Sequence, residues 1–209
     1  MVKSKIVSIK KLVGYVGNRY DIETERTHNF FANDILVHNS SVTYYWRDGV
    51  FGVCSKNIDL LETPGNTYWN VARKYDVEKK LREYGRSIAI QGEIFGHSIQ
   101  RNYGLPNQAF AVYSVYDLAK NAYMDYENAR ETVKSLDLPF VPFVDEFTLG
   151  DTVTTVDDLL KMSNRKSTIN PTFQAEGIVC RTYEEATDPE LGRLSFKVLS
   201  NKDLLDQKI

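Results

Sequence analysis

The sequence predicts an α+β chain, and three observations predict it. Segments rich in β-branched and aromatic residues recur with alternating polarity, helical compositions with end signals lie between them, and the first stretch of the chain holds strand signals only.

In chain order, Ile6 to Val13 and Tyr15 to Glu25 read as short strands, with Gly14 and Gly17 as turn formers. Ser41 to Trp46 alternates, Arg47-Asp48-Gly49 supplies a tight turn, and Val50 to Ser55 returns, which makes a β-hairpin. Tyr68 to Tyr84 is helical in composition, and Gly85 follows as its C-cap. Ser87 to Phe95 alternates again, with Ile88, Ile90 and Ile94 on one face and Gln91, Glu93 and Phe95 on the other. Phe110 to Leu118 is a further strand. Helices are predicted near Tyr123 to Leu136 and over Val156 to Ser163, the second opened by Thr155 with Asp158 three residues on, a capping box. Ala175 to Thr182 and Arg193 to Leu199 are the last strands. In the final one, Leu194, Phe196 and Val198 are expected to meet a core while Lys197 faces away from it.

Composition bounds the class. A chain that is 42% hydrophobic and 12% aromatic folds as a soluble protein. No apolar run approaches the roughly 20 residues of a membrane span, so no membrane partner is expected, and no signal peptide is visible. Cys54 and Cys180 are too few and too far apart for a disulfide framework or a zinc site. They are expected to be buried small residues of a reducing, cytoplasmic compartment. Residues 1–39 carry six Lys and Arg against four Asp and Glu, which turns the total of −2 into about −4 for the remainder. Charge alone neither indicates nor excludes a nucleic-acid partner.

The stretch from Tyr20 to Ser40, YDIETERTHNFFANDILVHNS, contains His28-Asn29-Phe30, the apolar run Ile35-Leu36-Val37, and then His38-Asn39-Ser40. It resembles the last two motifs of inteins. The carboxamide nitrogen of Asn39 can attack its own carbonyl, closing a succinimide and breaking the bond to Ser40, without a cofactor. The hydroxyl of Ser40 can accept an acyl group as an ester, a nucleophilic step of covalent catalysis. Imidazoles suit the accompanying proton transfers near neutral pH. His38 would polarise the scissile carbonyl or protonate the leaving amine, and His28 would assist Asn39. Asp21 matches the acidic position of the intein motif and is expected to help transfer onto Ser40. The start of the chain before Asn39 leaves no room for a whole intein, so residues 1–39 are expected to be the C-terminal half of a split intein. The resemblance implies a small all-β fragment of HINT type, loosely ordered until an N-terminal partner fragment arrives.

Residues 40–209 carry a second set of motifs. Ile90-Gln91-Gly92-Glu93-Ile94-Phe95-Gly96, Ala175-Glu176-Gly177-Ile178-Val179-Cys180-Arg181 and Leu194-Ser195-Phe196-Lys197-Val198 resemble motifs III, IV and V of the covalent nucleotidyltransferases. In order and spacing they are most similar to those of ATP-dependent RNA ligases. The resemblance implies a nucleotidyltransferase domain of antiparallel sheets with flanking helices. It also implies ATP and a divalent metal, Mg or Mn, as cofactors, and RNA or DNA ends as substrates. Glu93 would accept hydrogen bonds from the AMP ribose, Glu176 would hold the metal, and Lys197 would neutralise phosphates. Tyr113, or alternatively Phe110, would stack on adenine. Lys56 sits where the family usually has an Arg that contacts phosphate, and Lys lacks the planar fork of Arg. Ser195 stands where many relatives have a first Lys.

The family's Lys-x-Asp-Gly motif, whose lysine takes AMP, is absent. Ser40-Ser41-Val42-Thr43 looks like its continuation. Trans-splicing onto Ser40 would rebuild the motif, with the lysine carried by the partner fragment. With ten residues after Leu199, no large C-terminal domain is expected. A DNA ligase, a capping-type nucleotidyltransferase or a catalytically silent nucleotide- or nucleic-acid-binding module are the alternatives.

Overall fold

The computed structural model describes residues 6–11, 20–24, 29–32, 35–38, 40–56, 58–99 and 102–202. Two compact units make up the chain, Met1–Tyr113 and Ser114–Ile209.

The first unit begins with β1 (Ile6–Lys11) and β2 (Tyr20–Thr24), an antiparallel pair that sets Lys10 opposite Asp21. Next come β3 (Asn29–Ala32) and β4 (Ile35–His38), antiparallel with Asn29 opposite His38. The hairpin follows as β5 (Ser41–Arg47) and β6 (Val50–Cys54). Its turn residues Asp48 and Gly49 lie at φ 52° and 81°, the pair of positive φ values whose twist matches right-twisted strands.

Two helices stand where one was expected, α1 (Thr67–Lys74) and α2 (Val77–Tyr84). The break falls at Asp76, which adopts the left-handed conformation at φ 53°. An uninterrupted helix turning about 100° per residue would set Ala72 and Leu81 on opposite sides. Both are buried, and re-aiming the second helix at Asp76 is what allows it. Asn66 opens α1, its side chain accepting from the backbone N–H groups of Tyr68 and Trp69. Gly85 closes α2 in the left-handed conformation, as its position suggested.

β7 (Ile88–Gly96) pairs antiparallel with β5, and β8 (Gln108–Asp117) is its other neighbour, so the order within this unit is β6-β5-β7-β8. One face of the sheet is core. Val42, Tyr44, Val53, Ile88, Ile90, Ile94, Phe110 and Val112 are buried there, with Trp69, Val71, Val77 and Leu81 from the helices. The Tyr44 hydroxyl donates to the carbonyl of Tyr68 at 2.9 Å, and its ring meets Phe110 edge-on at 5.2 Å. Burial pushes the ionisation of Tyr44 far up, which keeps it a donor.

In the second unit, the end of β8 pairs with β9 (Ala122–Tyr123), setting Tyr116 opposite Tyr123. The helix predicted from Tyr123 starts later, as α3 (Tyr126–Ser135). Tyr123 is drawn away from it by tertiary contacts: its ring lies against Tyr116 at 4.9 Å and beneath the Arg193 guanidinium at 3.7 Å. α4 (Val156–Ser163) is capped by Thr155 and Asp158 in the reciprocal box predicted for them. The last strands are β10 (Gly177–Arg181), the short pair β11 (Thr187–Asp188) and β12 (Gly192–Arg193), and β13 (Ser195–Leu199), antiparallel to β10.

The apolar face expected on the last strand is not a core face. Leu194 is 37% and Phe196 44% exposed. The cover that α4 provides lies at the other end of the ladder, where Ser163 donates to the Leu199 carbonyl at 3.2 Å. Among the described residues no helix is long and apolar enough to cross a membrane.

Candidate active site

Alternation along β5, β7 and β8 puts the chemistry of the first unit on the sheet face opposite the helices. Ser41 stands directly across from Glu93, and Thr43 across from Gln91; all four are half-buried. Tyr113 shares that face by its register on β8, opposite in sense to Phe110 and Val112. Phe110 is 1% exposed and edge-packed between Tyr44 and Tyr75, so its ring belongs to the core, whereas Tyr113 is half-buried on the other face. Gly92 has a packing reason to precede Glu93. A Cβ there would come within 2.2 Å of the Phe110 ring and 2.5 Å of the Ala111 carbonyl oxygen.

Glu93 is the centre of the first cluster. The Ser40 hydroxyl donates to its Oε1, and the Ser41 hydroxyl donates to its Oε2 at 3.1 Å. The backbone closes the same junction, with Ile94 N donating to the Ser40 carbonyl at 2.9 Å. Both donors are neutral, and the carboxylate oxygens they hold can accept further hydrogen bonds.

The second cluster is in the second unit. Lys197 Nζ donates to Glu176 Oε1 at 2.5 Å, an exposed ion pair. Gly177 allows the ladder to close beside it, since a Cβ would lie 2.0 Å from the Val198 carbonyl oxygen. Glu176 offers one carboxylate, and among the described residues no group of three or more His, Cys, Asp or Glu side chains could hold a metal. A single carboxylate is a hard oxygen donor of the kind that suits a divalent ion such as Mg²⁺ or Mn²⁺.

Ser195 is explained by its partner. It lies directly across from Arg181, where a lysine would make a like-charge cross-strand pair. Arg181 and Arg193 both donate to the Ser114 hydroxyl, at 3.0 and 3.2 Å, and Arg193 forms a two-pronged ion pair with Glu185. The sequence carried no signal for this network, because its members come from four separate segments.

Lys56 is exposed, in the loop after β6 that Cys54 and Asp59 bridge. Cys54 is half-buried rather than buried, with its Sγ 3.7 Å from Asp59 Oδ1. Burial first, and the Asp59 carboxylate second, push its thiol up to about 12. Asp59 itself is exposed. Cys180 is buried as expected. Of the residues assigned to splicing, Asp21 lies on β2 and His38 ends β4; His28 and Asn39 lie outside the described residues. The structure thus brings together Ser40, Ser41 and Glu93 in one unit, and Glu176 and Lys197 in the other.

Residues 37–199 match the family model described as RNA ligase. Among solved structures, the chain is similar to the Naegleria gruberi RNA ligase with PPi, at 32% identity and a TM-score of 0.71, covering 81% of this chain and 49% of that one. It is similar also to a lysine-to-alanine variant of that ligase with ATP and Mn, and to a lysine-to-methionine variant with AMP and Mn. Each has 32% identity and a TM-score of 0.72, covering 82% of this chain and 50% of that one. The chain spans about half the length of these ligases. A stretch of 41 residues is 54% identical to part of a DNA polymerase of Thermococcus litoralis, covering 19% of this chain and 2% of that protein.

Proposed function

Over residues 37–199 the chain belongs to the RNA ligase family, and from that membership we propose that it is the C-terminal part of an ATP-dependent RNA ligase acting through a lysyl-AMP intermediate. The N-terminal part, with the nucleophilic lysine, is joined to Ser40 by trans-splicing, for which residues 1–39 are the split-intein half. One observation carries this reading: Ser40 and Ser41, the expected continuation of the lysine motif, are anchored on Glu93, the acidic residue of motif III. A lysine joined upstream of Ser40 enters the sheet beside the carboxylate that would receive the ribose. The solved relatives with ATP, AMP, PPi and Mn support the choice of nucleotide and ion.

Within that reading, Glu93 accepts hydrogen bonds from the AMP ribose, and Tyr113 offers a ring for the adenine on the same sheet face. Lys197 would supply a cation for the phosphates. A divalent ion held by Glu176 supplies further charge neutralisation when bound. Positioning and charge account for most of the protein's share in phosphoryl transfer.

The test is to mix the chain with its N-terminal fragment and search by mass spectrometry for a ligated product and a released leader ending at Asn39 or its succinimide. The product is then incubated with labelled ATP or labelled GTP. Transfer of label from ATP to the protein, followed by sealing of RNA ends, is expected. Label from GTP alone would make it a capping-type enzyme, and absence of any ligated product would remove the splicing half of the proposal.

A further inference from the structure

Ser40 is both the acyl acceptor of the proposed splicing reaction and the residue that leads into β5. Its hydroxyl does not hang free in that position. It donates to Glu93 Oε1, while the Ser40 carbonyl accepts from Ile94 N at 2.9 Å and the neighbouring Ser41 hydroxyl donates to Glu93 Oε2 at 3.1 Å. Two consecutive residues of β7 therefore hold the nucleophile by its side chain and by its backbone. A serine hydroxyl is a weak nucleophile until an adjacent base takes its proton, and a carboxylate in hydrogen-bond contact meets the geometric requirement for that base.

We infer that Glu93 is a catalytic base for splicing as well as a nucleotide contact of the ligase: it positions the Ser40 hydroxyl and accepts its proton during acyl transfer. The inference rests on the trans-splicing reading and deepens it. Ser40 Oγ forms a C–O bond to the carbonyl carbon of an ester or thioester on the partner fragment. The bond from that carbon to the partner's side-chain oxygen or sulfur breaks. The proton of Ser40 passes to Glu93 and then to the departing oxygen or sulfur, so Glu93 ends as the carboxylate it began as, and nothing is oxidised or reduced. Because Glu93 reaches Ser40 only when β5 and β7 are paired, transfer is coupled to folding of the ligase half. A precursor whose sheet has not formed lacks the base.

Two measurements test this on the full chain. In the first, Ser40→Cys is made alone and together with Glu93→Gln, and alkylation of the introduced thiol by iodoacetamide is followed by peptide mass spectrometry. A carboxylate in contact raises a thiol's pKa by about one unit, so Glu93→Gln should speed labelling about tenfold near neutral pH and move the pH midpoint down by about as much. Equal rates and equal midpoints would show that Glu93 does not touch position 40, and would overturn the inference.

In the second, splicing with the cognate N-terminal fragment is timed. Glu93→Gln should slow formation of the ligated product by about 100-fold. Cleavage between Asn39 and Ser40 needs no Ser40 hydroxyl, so it should continue, and the ratio of cleaved to ligated product should rise. Glu93→Asp should restore part of the rate. A wild-type chain that ligates while Glu93→Gln gives the same yield and ratio overturns this inference and leaves the splicing reading standing. A wild-type chain that never ligates removes that reading, and this inference with it.

Discussion

Glu93 and Glu176 are both motif carboxylates next to a glycine on or beside a strand, yet their surroundings differ. Glu93 is held by two neutral hydroxyls on a sheet whose reverse face is sealed by α1 and α2. Glu176 is held by an ammonium on a two-stranded ladder that leaves Phe196 exposed. The difference teaches which kind of work each can do. A carboxylate held by two neutral hydroxyl donors on a packed sheet is suited to accept protons or hydrogen bonds at a defined place. One that already has an exposed ammonium beside it is suited to share charge with phosphate and metal.

The widest contrast lies in packing. Phe110→Ala should destabilise the first unit by about 3–5 kcal/mol, the usual cost of emptying a buried aromatic site. Phe196→Ala should cost under about 1 kcal/mol, because its ring is already 44% exposed. Chemical denaturation of both variants measures this, and equal losses would mean that the two sheets are packed alike.

Activity separates the carboxylates next. If the splicing reading holds, Glu176→Ala should lower RNA sealing by the spliced product about 100-fold and leave the rate of splicing unchanged, whereas Glu93→Gln should slow splicing itself. Normal ligation by Glu176→Ala would withdraw its metal role.

A smaller effect sharpens the second unit alone. Thr155→Ala removes the N-cap of α4, the helix that covers one end of the β10–β13 ladder, and should cost about 1 kcal/mol in thermal melts. The Thr155 hydroxyl, and then the backbone N–H groups of Thr155 and Thr154, hold the Asp158 carboxyl below the usual carboxylate range. A depressed folded-state pKa gives stability that is present above the unfolded value and lost as pH falls through the folded one. The wild-type advantage over Thr155→Ala should therefore shrink in acid, and an advantage independent of pH would count against the reciprocal cap.

The smallest change probes the first unit's helix break. Asp76→Gly should stabilise by roughly 0.5–1 kcal/mol, since glycine adopts the left-handed conformation without the strain of a side chain. Destabilisation would show that the Asp76 side chain holds the break in some other way.

Much of this was legible from short-range patterns. The β5–β6 hairpin follows from Asp48-Gly49 between two alternating runs, and β7 from the isoleucines at 88, 90 and 94. The capping box of α4 was written in Thr155 and Asp158. What was not legible depends on what lies opposite. Alternation alone could not tell that Phe110 would be sealed between Tyr44 and Tyr75, that Tyr123 would leave its helix for Tyr116 and Arg193, or that Leu194 and Phe196 would lack a cover.

Sequence by itself determined the β5–β6 hairpin, the polar face that carries Glu93 and the residues competent for the chemistry, because backbone periodicity and side-chain identity are local properties. Tertiary structure alone decided that Ser40 and Ser41 meet Glu93, and that Glu176 meets Lys197. Those contacts bridge residues far apart in the chain, and strand register, which no single segment specifies, fixes which side chains come within reach of one another.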